Sequence, residues 1–103
     1  MNLKQPYFDM VKKGVKTIEL RLYDEKRQQI QIGDSILFQN ENKHHLVKVK
    51  ELVKAQNFDS LFKIIDIKKT GLGNKENALK IMNQFYPINK QNEIGVVGIV
   101  LED

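Results

Sequence analysis

The chain has 103 residues, 41% hydrophobic and 29% charged, with no cysteine and a formal charge of +4. That size and balance suit one soluble domain with one core, and they exclude disorder, a disulfide scaffold and thiolate metal sites. No apolar stretch approaches the roughly 20 residues that cross a bilayer. The N-terminal residues lack the basic-then-apolar order of a secretion signal, so a reducing cytoplasmic setting is expected. The charge is uneven: residues 1–50 carry ten basic and six acidic side chains, and residues 51–103 carry seven of each. A bias of this kind attracts an anionic partner. Ordinary solubility charge produces it equally well.

Pro6 opens the first expected helix, because its missing N–H is unbonded in a first turn anyway. Tyr7, Met10 and Val11 follow at helical spacing, Lys12 and Lys13 complement the helix dipole, and Gly14 ends the element. Residues 16–23 then alternate. Ile18, Leu20 and Leu22 point one way, and Thr17, Glu19 and Arg21 the other, which predicts a strand. Asp24 to Gln29 is charged and reads as a loop or a short helical turn. Gly33-Asp34 is a turn signal ahead of a second strand, Ser35 to Gln39. After the polar turn Asn40 to Lys43, a long third strand runs through Leu46, Val47, Val49 and Leu52 to about Ala55.

Asn57 caps a short helix with Phe58, Leu61, Phe62 and Ile65 on its apolar face. Gly71 and Gly73 break the chain. Asn74 caps the next helix, with Ala78, Ile81, Met82 and Phe85 expected inward and Pro87 as its end. The closing strand, Gly95 to Leu101, is apolar enough to be buried on both faces. The expected order is helix, three strands, two helices, strand. Its economical form is an α+β, β-rich domain over residues 1–103: a small curved sheet or barrel with short helices at its ends.

The charged face of the 16–22 strand carries the chemistry. Glu19 and Arg21 project from one face about 7 Å apart, and Lys16 stands just before them. A carboxylate beside two cations orients them, the Arg fork suits phosphate or a base edge, and Lys adds a point charge. A solvated ion-pair strand and a ligand site both fit the pattern. Other groups offer less. His44 and His45 face opposite sides of a strand and make a poor metal pair. Gly71-Leu72-Gly73 lacks the Lys-Ser/Thr ending of a phosphate loop and reads as a turn. Tyr7, Tyr23 and Tyr86 are the aromatic candidates for base stacking. Lys68-Lys69 extend a basic rim or are simply solvated.

The run Gly14-x-Lys16-x-x-Glu19-x-Arg21 resembles the signature of the ASCH domain family, itself similar to the RNA-binding PUA domain. Pro6-Tyr7-Phe8, Ile32-Gly33-Asp34, Phe58 to Phe62, Phe85-Tyr86-Pro87 and Gly95 to Ile99 match it in order. The resemblance covers nearly the whole chain. It implies a PUA-like small β-barrel with a cleft beside the motif strand, lined by Lys16, Glu19 and Arg21, and a role in RNA-linked processes. Tyr7 and Lys13 complete the expected ligand-binding set. The expected partner is RNA or a nucleoside or nucleotide, bound by a monomer without metal or cofactor. One branch of the family deacetylates N4-acetylcytidine with a lysine, a threonine and a glutamate. Lys16 matches the lysine, but the threonine position falls on Glu19 and the glutamate position near Gly71, with Thr17 and Glu76 close by. The alternative reading is thus a hydrolase, an amidohydrolase on a modified nucleoside or an RNA-cleaving enzyme, with Lys16 and Glu19 catalytic.

Overall fold

A computed structural model describes residues 1–103. Its centre is β4 (Val96–Glu102), the strand read as buried on both faces. Val97, Ile99 and Leu101 enter one apolar cluster with Phe8, Phe38 and Val49, and Val96 enters a second with Phe58, Leu61 and Met82. Antiparallel partners flank β4 on both sides, giving the order β1 (Ile18–Leu22), β4, β3 (Lys43–Ala55), β2 (Ser35–Asn40). Gly98 faces β1 and α3 (Phe58–Leu61): a Cβ there would stand 3.4 Å from Ile18 and 3.7 Å from Leu61. The sheet therefore closes tightly over the second cluster.

The 13-residue β3 serves two partners. Its first half pairs with β2, its second half with β4, and the register shifts between Val49 and Glu51. The extra residue, Lys50, bends the strand and increases its twist. The sheet curls into a half-barrel rather than a closed barrel, because β1 and β2 remain its two edges. The N-terminal segment bridges part of the gap. Leu3 N–H donates to the Gln39 carbonyl at 3.0 Å, and Gln39 N–H donates to the Met1 carbonyl at 3.0 Å.

The expected placement of helices at the ends gives way to packing on the faces: helical residues enter both apolar clusters, one on each side of β4. α1 (Tyr7–Lys12) buries Phe8 and Val11, with Pro6 at its cap position. The charged stretch after β1 forms α2 (Glu25–Gln28), capped by the Asp24 carboxylate. The Asn57 and Asn74 side chains cap α3 and α4 (Lys75–Phe85), as their spacing predicts. Between them lies a 3-10 turn, Ile67–Thr70, that the sequence reading did not anticipate. Two further expectations change. Pro87 does not simply stop α4; it caps a further helix, α5 (Ile88–Ile94). Phe85, expected inward, is 55% exposed.

Gln91 explains why α5 went unseen. It is fully buried, and its side chain joins three elements: Oε1 accepts from Phe58 N–H, while Nε2 donates to Asn83 Oδ1 and the Tyr86 carbonyl. The inward residue of this helix is polar, so no apolar period marks it.

Candidate functional site

The free edge of β1 creates the site. Leu101 N–H donates to the Thr17 carbonyl and Tyr23 N–H to the Gly95 carbonyl, so the odd residues of this segment face β4. In an antiparallel ladder the even residues then turn their backbone groups away. Leu20 N–H would be left without a partner in a buried place, which is costly. The Glu19 carboxylate fills that need, its Oε1 accepting from Leu20 N–H at 3.2 Å.

Two cations hold the carboxylate from either side. Lys16 Nζ lies 3.3 Å from Glu19 Oε1; Arg21 Nε donates to Oε2 at 2.8 Å, and Arg21 Nη2 forms an ion pair with the same oxygen at 2.8 Å. Arg21 Nη2 also donates to the Asn2 carbonyl at 2.7 Å, tying β1 to the N-terminal segment. Arg21 Nη1 makes no hydrogen bond within the protein. Lys16 spends its remaining donors on the Ile18 carbonyl at 2.8 Å and the Thr70 carbonyl at 2.6 Å. It thereby pins the 3-10 turn to β1. Gly71 allows the turn to lie so close. Its φ is +77°, and a Cβ there would meet Met10 Sδ at 2.9 Å and Lys16 carbons at 3.6 Å.

Lys16 is 3% exposed and Glu19 5%, so the strand's polar face is not a solvated ion pair. Burial pushes the Lys16 ammonium below the usual lysine range; Glu19 opposes the shift and Arg21 adds to it. The unfolded chain holds this proton up to about pH 10.5, and the folded protein releases it earlier. Between the two values the unfolded state binds more protons, so stability rises with pH. The stability of the wild type minus that of Lys16→Met is expected to rise as pH approaches 10.5 and level off above it. Denaturant midpoints across that range measure this, and a falling difference contradicts it.

The pair borders a cleft of about 560 Å³, within the size range of small-ligand sites. Its charged wall is Lys16, Glu19 and Arg21, continued by Asn2 and Lys4. Its apolar wall is Leu72, Ile81, Met82, Phe85 and Tyr86, with Tyr7 at the head of α1. Lys16 Nζ stands 5.8 Å from the Tyr7 ring centroid, and Lys4 Nζ 5.6 Å from that of Phe85. Glu41, in the β2–β3 turn, reaches the rim with a φ of +53°, a backbone region disfavoured for any side chain bearing a Cβ.

Four of the five expected ligand residues thus meet in one cleft: Tyr7, Lys16, Glu19 and Arg21. Lys13 does not; it caps the far end of α1, exposed. Tyr86 joins the wall, whereas Tyr23 pairs with Lys54 elsewhere. Thr17 lies outside the cleft, and Glu76 is exposed in the first turn of α4. His45 pairs with Asp103 at 3.0 Å, away from the site. Of the apolar wall, the sequence reading named Tyr7 and Tyr86 and missed Leu72, Ile81, Met82 and Phe85. The aromatic pair Phe85-Tyr86 just before Pro87 was its one visible signal, because an aromatic at a helix end can turn outward. Nothing local marks Gln39, Asn40 and Glu41 as rim residues.

No curated protein matches the chain. Among solved structures, it is similar to the crystal structure of hypothetical protein PH0355. The two are 38% identical, with a TM-score of 0.89, over 99% of this chain and 94% of that one. It is also similar to the solution NMR structure of protein PF0455 from Pyrococcus furiosus, at 32% identity and a TM-score of 0.78, over 99% and 93% of the two chains. The ASCH domain model matches residues 1–103, and the chain belongs to the ASCH domain family.

Proposed function

We propose that the cleft binds one base of an RNA, or a nucleoside or nucleotide, as part of RNA processing or regulation. The carrying observation is the pairing of walls. Arg21 offers an unused Nη1 beside a fixed carboxylate, and Phe85, Tyr86 and Tyr7 face the same space. Bases present a flat apolar face and a polar edge, and proteins read unpaired bases by stacking and edge hydrogen bonds. The family's likeness to the PUA domain supports the reading, with the half-barrel and its N-terminal segment forming a PUA-like barrel. On this reading the protein acts as a cytoplasmic monomer.

The ion pair positions the wall rather than meeting the ligand alone. Lys16 has all three donors engaged, so its work is to hold Glu19 and the 3-10 turn. Arg21 is the group with a donor to give. Titration of single-stranded RNA oligonucleotides against wild type and Arg21→Ala tests this. A loss of about 1.5–3 kcal/mol is expected, as for a hydrogen bond to a charged group. Equal affinities of the folded proteins would remove Arg21 from the site.

One observation favours a second reading, hydrolysis of an amide on a modified nucleoside. A buried lysine of lowered pKa is the sort of group that serves as a base. Incubation with N4-acetylcytidine separates the two: release of cytidine, abolished in Lys16→Met, supports hydrolysis, and binding without turnover supports the first reading.

A further inference from the structure

We propose that the natural ligand is a single-stranded RNA rather than a free nucleotide, with the phosphates beside the bound base running over a patch of Lys12, Lys13, Lys68 and Lys69. This rests on the cleft reading above. The four lysines come from two elements distant in sequence. Lys12 and Lys13 end α1; Lys68 and Lys69 belong to the 3-10 turn. The backbone brings them together. Thr17 N–H donates to the Lys69 carbonyl at 2.9 Å, and Val15 and Lys16 N–H both donate to the Met10 carbonyl, at 2.9 and 3.0 Å. Gly71, directly after the turn, packs on Met10.

All four side chains are exposed and none is ion-paired. Lys63, Lys75 and Lys90, elsewhere on the surface, each have a carboxylate within 4 Å, whereas the exposed Lys80 of α4, like these four, has none; what sets the four apart is that they come together. The carboxylates nearest the patch in sequence have other partners: Asp9 accepts from Gln5 Nε2, and Asp66 accepts from Lys68 N–H. Glu102 and Asp103 line a small pocket with Gly14 and Thr17, and Asp103 pairs there with His45. Val15, 60% exposed, stands among the lysines as a small apolar platform. A basic surface interrupted by an apolar side chain fits a nucleic acid strand, which offers phosphates and bases in turn.

Patch and cleft are parts of one framework. Tyr7 lines the cleft at the head of α1, and Lys12–Lys13 lie at its other end. At 1.5 Å per residue that is about 8–9 Å, or two to three stacked nucleotide steps of about 3.4 Å. On the second element, Lys68-Lys69 lead through Thr70, whose carbonyl holds Lys16, to Leu72 in the cleft wall. A base seated in the cleft thus has its neighbouring phosphates within reach of both lysine pairs.

The test compares the four nucleoside 5′-monophosphates with single-stranded RNA heptamers over a range of salt. The heptamers are expected to bind at least about tenfold more tightly, with a log–log salt slope near −3 from four phosphates at about −0.7 each. The quadruple variant Lys12→Ala/Lys13→Ala/Lys68→Ala/Lys69→Ala should lose most of that slope and the length advantage while leaving monophosphate affinity unchanged. A control, Lys63→Ala/Lys75→Ala/Lys80→Ala, should change both little. Heptamers no tighter than monophosphates, or a quadruple variant with an unaltered slope, overturns the track and leaves the cleft reading standing. If neither ligand binds, both fall.

Discussion

Glu19→Ala is expected to destabilise the protein by about 3–5 kcal/mol, the usual cost of removing one partner from a buried ion pair. Lys16 would be left at 3% exposure with no carboxylate to offset its burial, and Leu20 N–H would lose its acceptor on the free edge of β1. Arg21 would lose one of its two hydrogen bonds and its ion-pair partner. A domain of this size has about 5–15 kcal/mol to lose, so the variant should fold with a melting temperature lower by about 15 °C or more. The double variant Lys16→Met/Glu19→Gln separates charge from shape. It buries no lone ammonium, and replacing both partners of a buried pair is often close to neutral. It should recover a substantial part of the loss. Thermal melts of the three proteins and the wild type form the cycle. A Glu19→Ala loss under about 1 kcal/mol would show that the pair is solvated and that its surroundings are not as described.

The second large effect concerns the ligand, and its side chain can be removed without touching the core. Phe85→Ala is expected to weaken RNA binding by about 1–3 kcal/mol, the range for stacking of one base on one aromatic ring. That is roughly a fivefold to 150-fold change in affinity. Phe85 is 55% exposed at the cleft rim, so its loss should change stability by about 1 kcal/mol at most. Ile88→Ala is the matched control: it is 50% exposed and lies outside the cleft. Binding titrations on both variants, with melts alongside, decide the matter. Equal affinity in Phe85→Ala and Ile88→Ala would mean that the apolar wall is not a stacking surface.

Local chemistry made part of this architecture legible in the sequence. Asn57 and Asn74 announced their helices because an Asx side chain ahead of an apolar period has one obvious use. The unbroken apolar run of β4 predicted burial on two faces, because only a central strand needs it. The alternation of residues 18–22 gave the strand and the common face of Glu19 and Arg21. It could not give their burial. That depends on the N-terminal segment and the Thr70 turn closing over β1, contacts that span 19 and 54 residues. Helix α5 was hidden because its anchor is Gln91, a polar side chain satisfied only in the folded protein. Phe85 fell on the inward period of α4, yet α4 ends there and the ring turns to the cleft instead. The charged half of the site was therefore legible, and the apolar half only in Tyr7 and Tyr86.

On the proposed reading, β1 and the end of α4 are the two walls of one ligand site. Titrating nitrogen-labelled protein with single-stranded RNA and following its backbone amide resonances puts both walls to the test at once. Saturable shifts are expected at Glu19, Leu20 and Arg21 together with Leu72, Phe85 and Tyr86, the residues that line both walls. Shifts confined to one wall or to the opposite face of the sheet, or none at millimolar ligand, would contradict it.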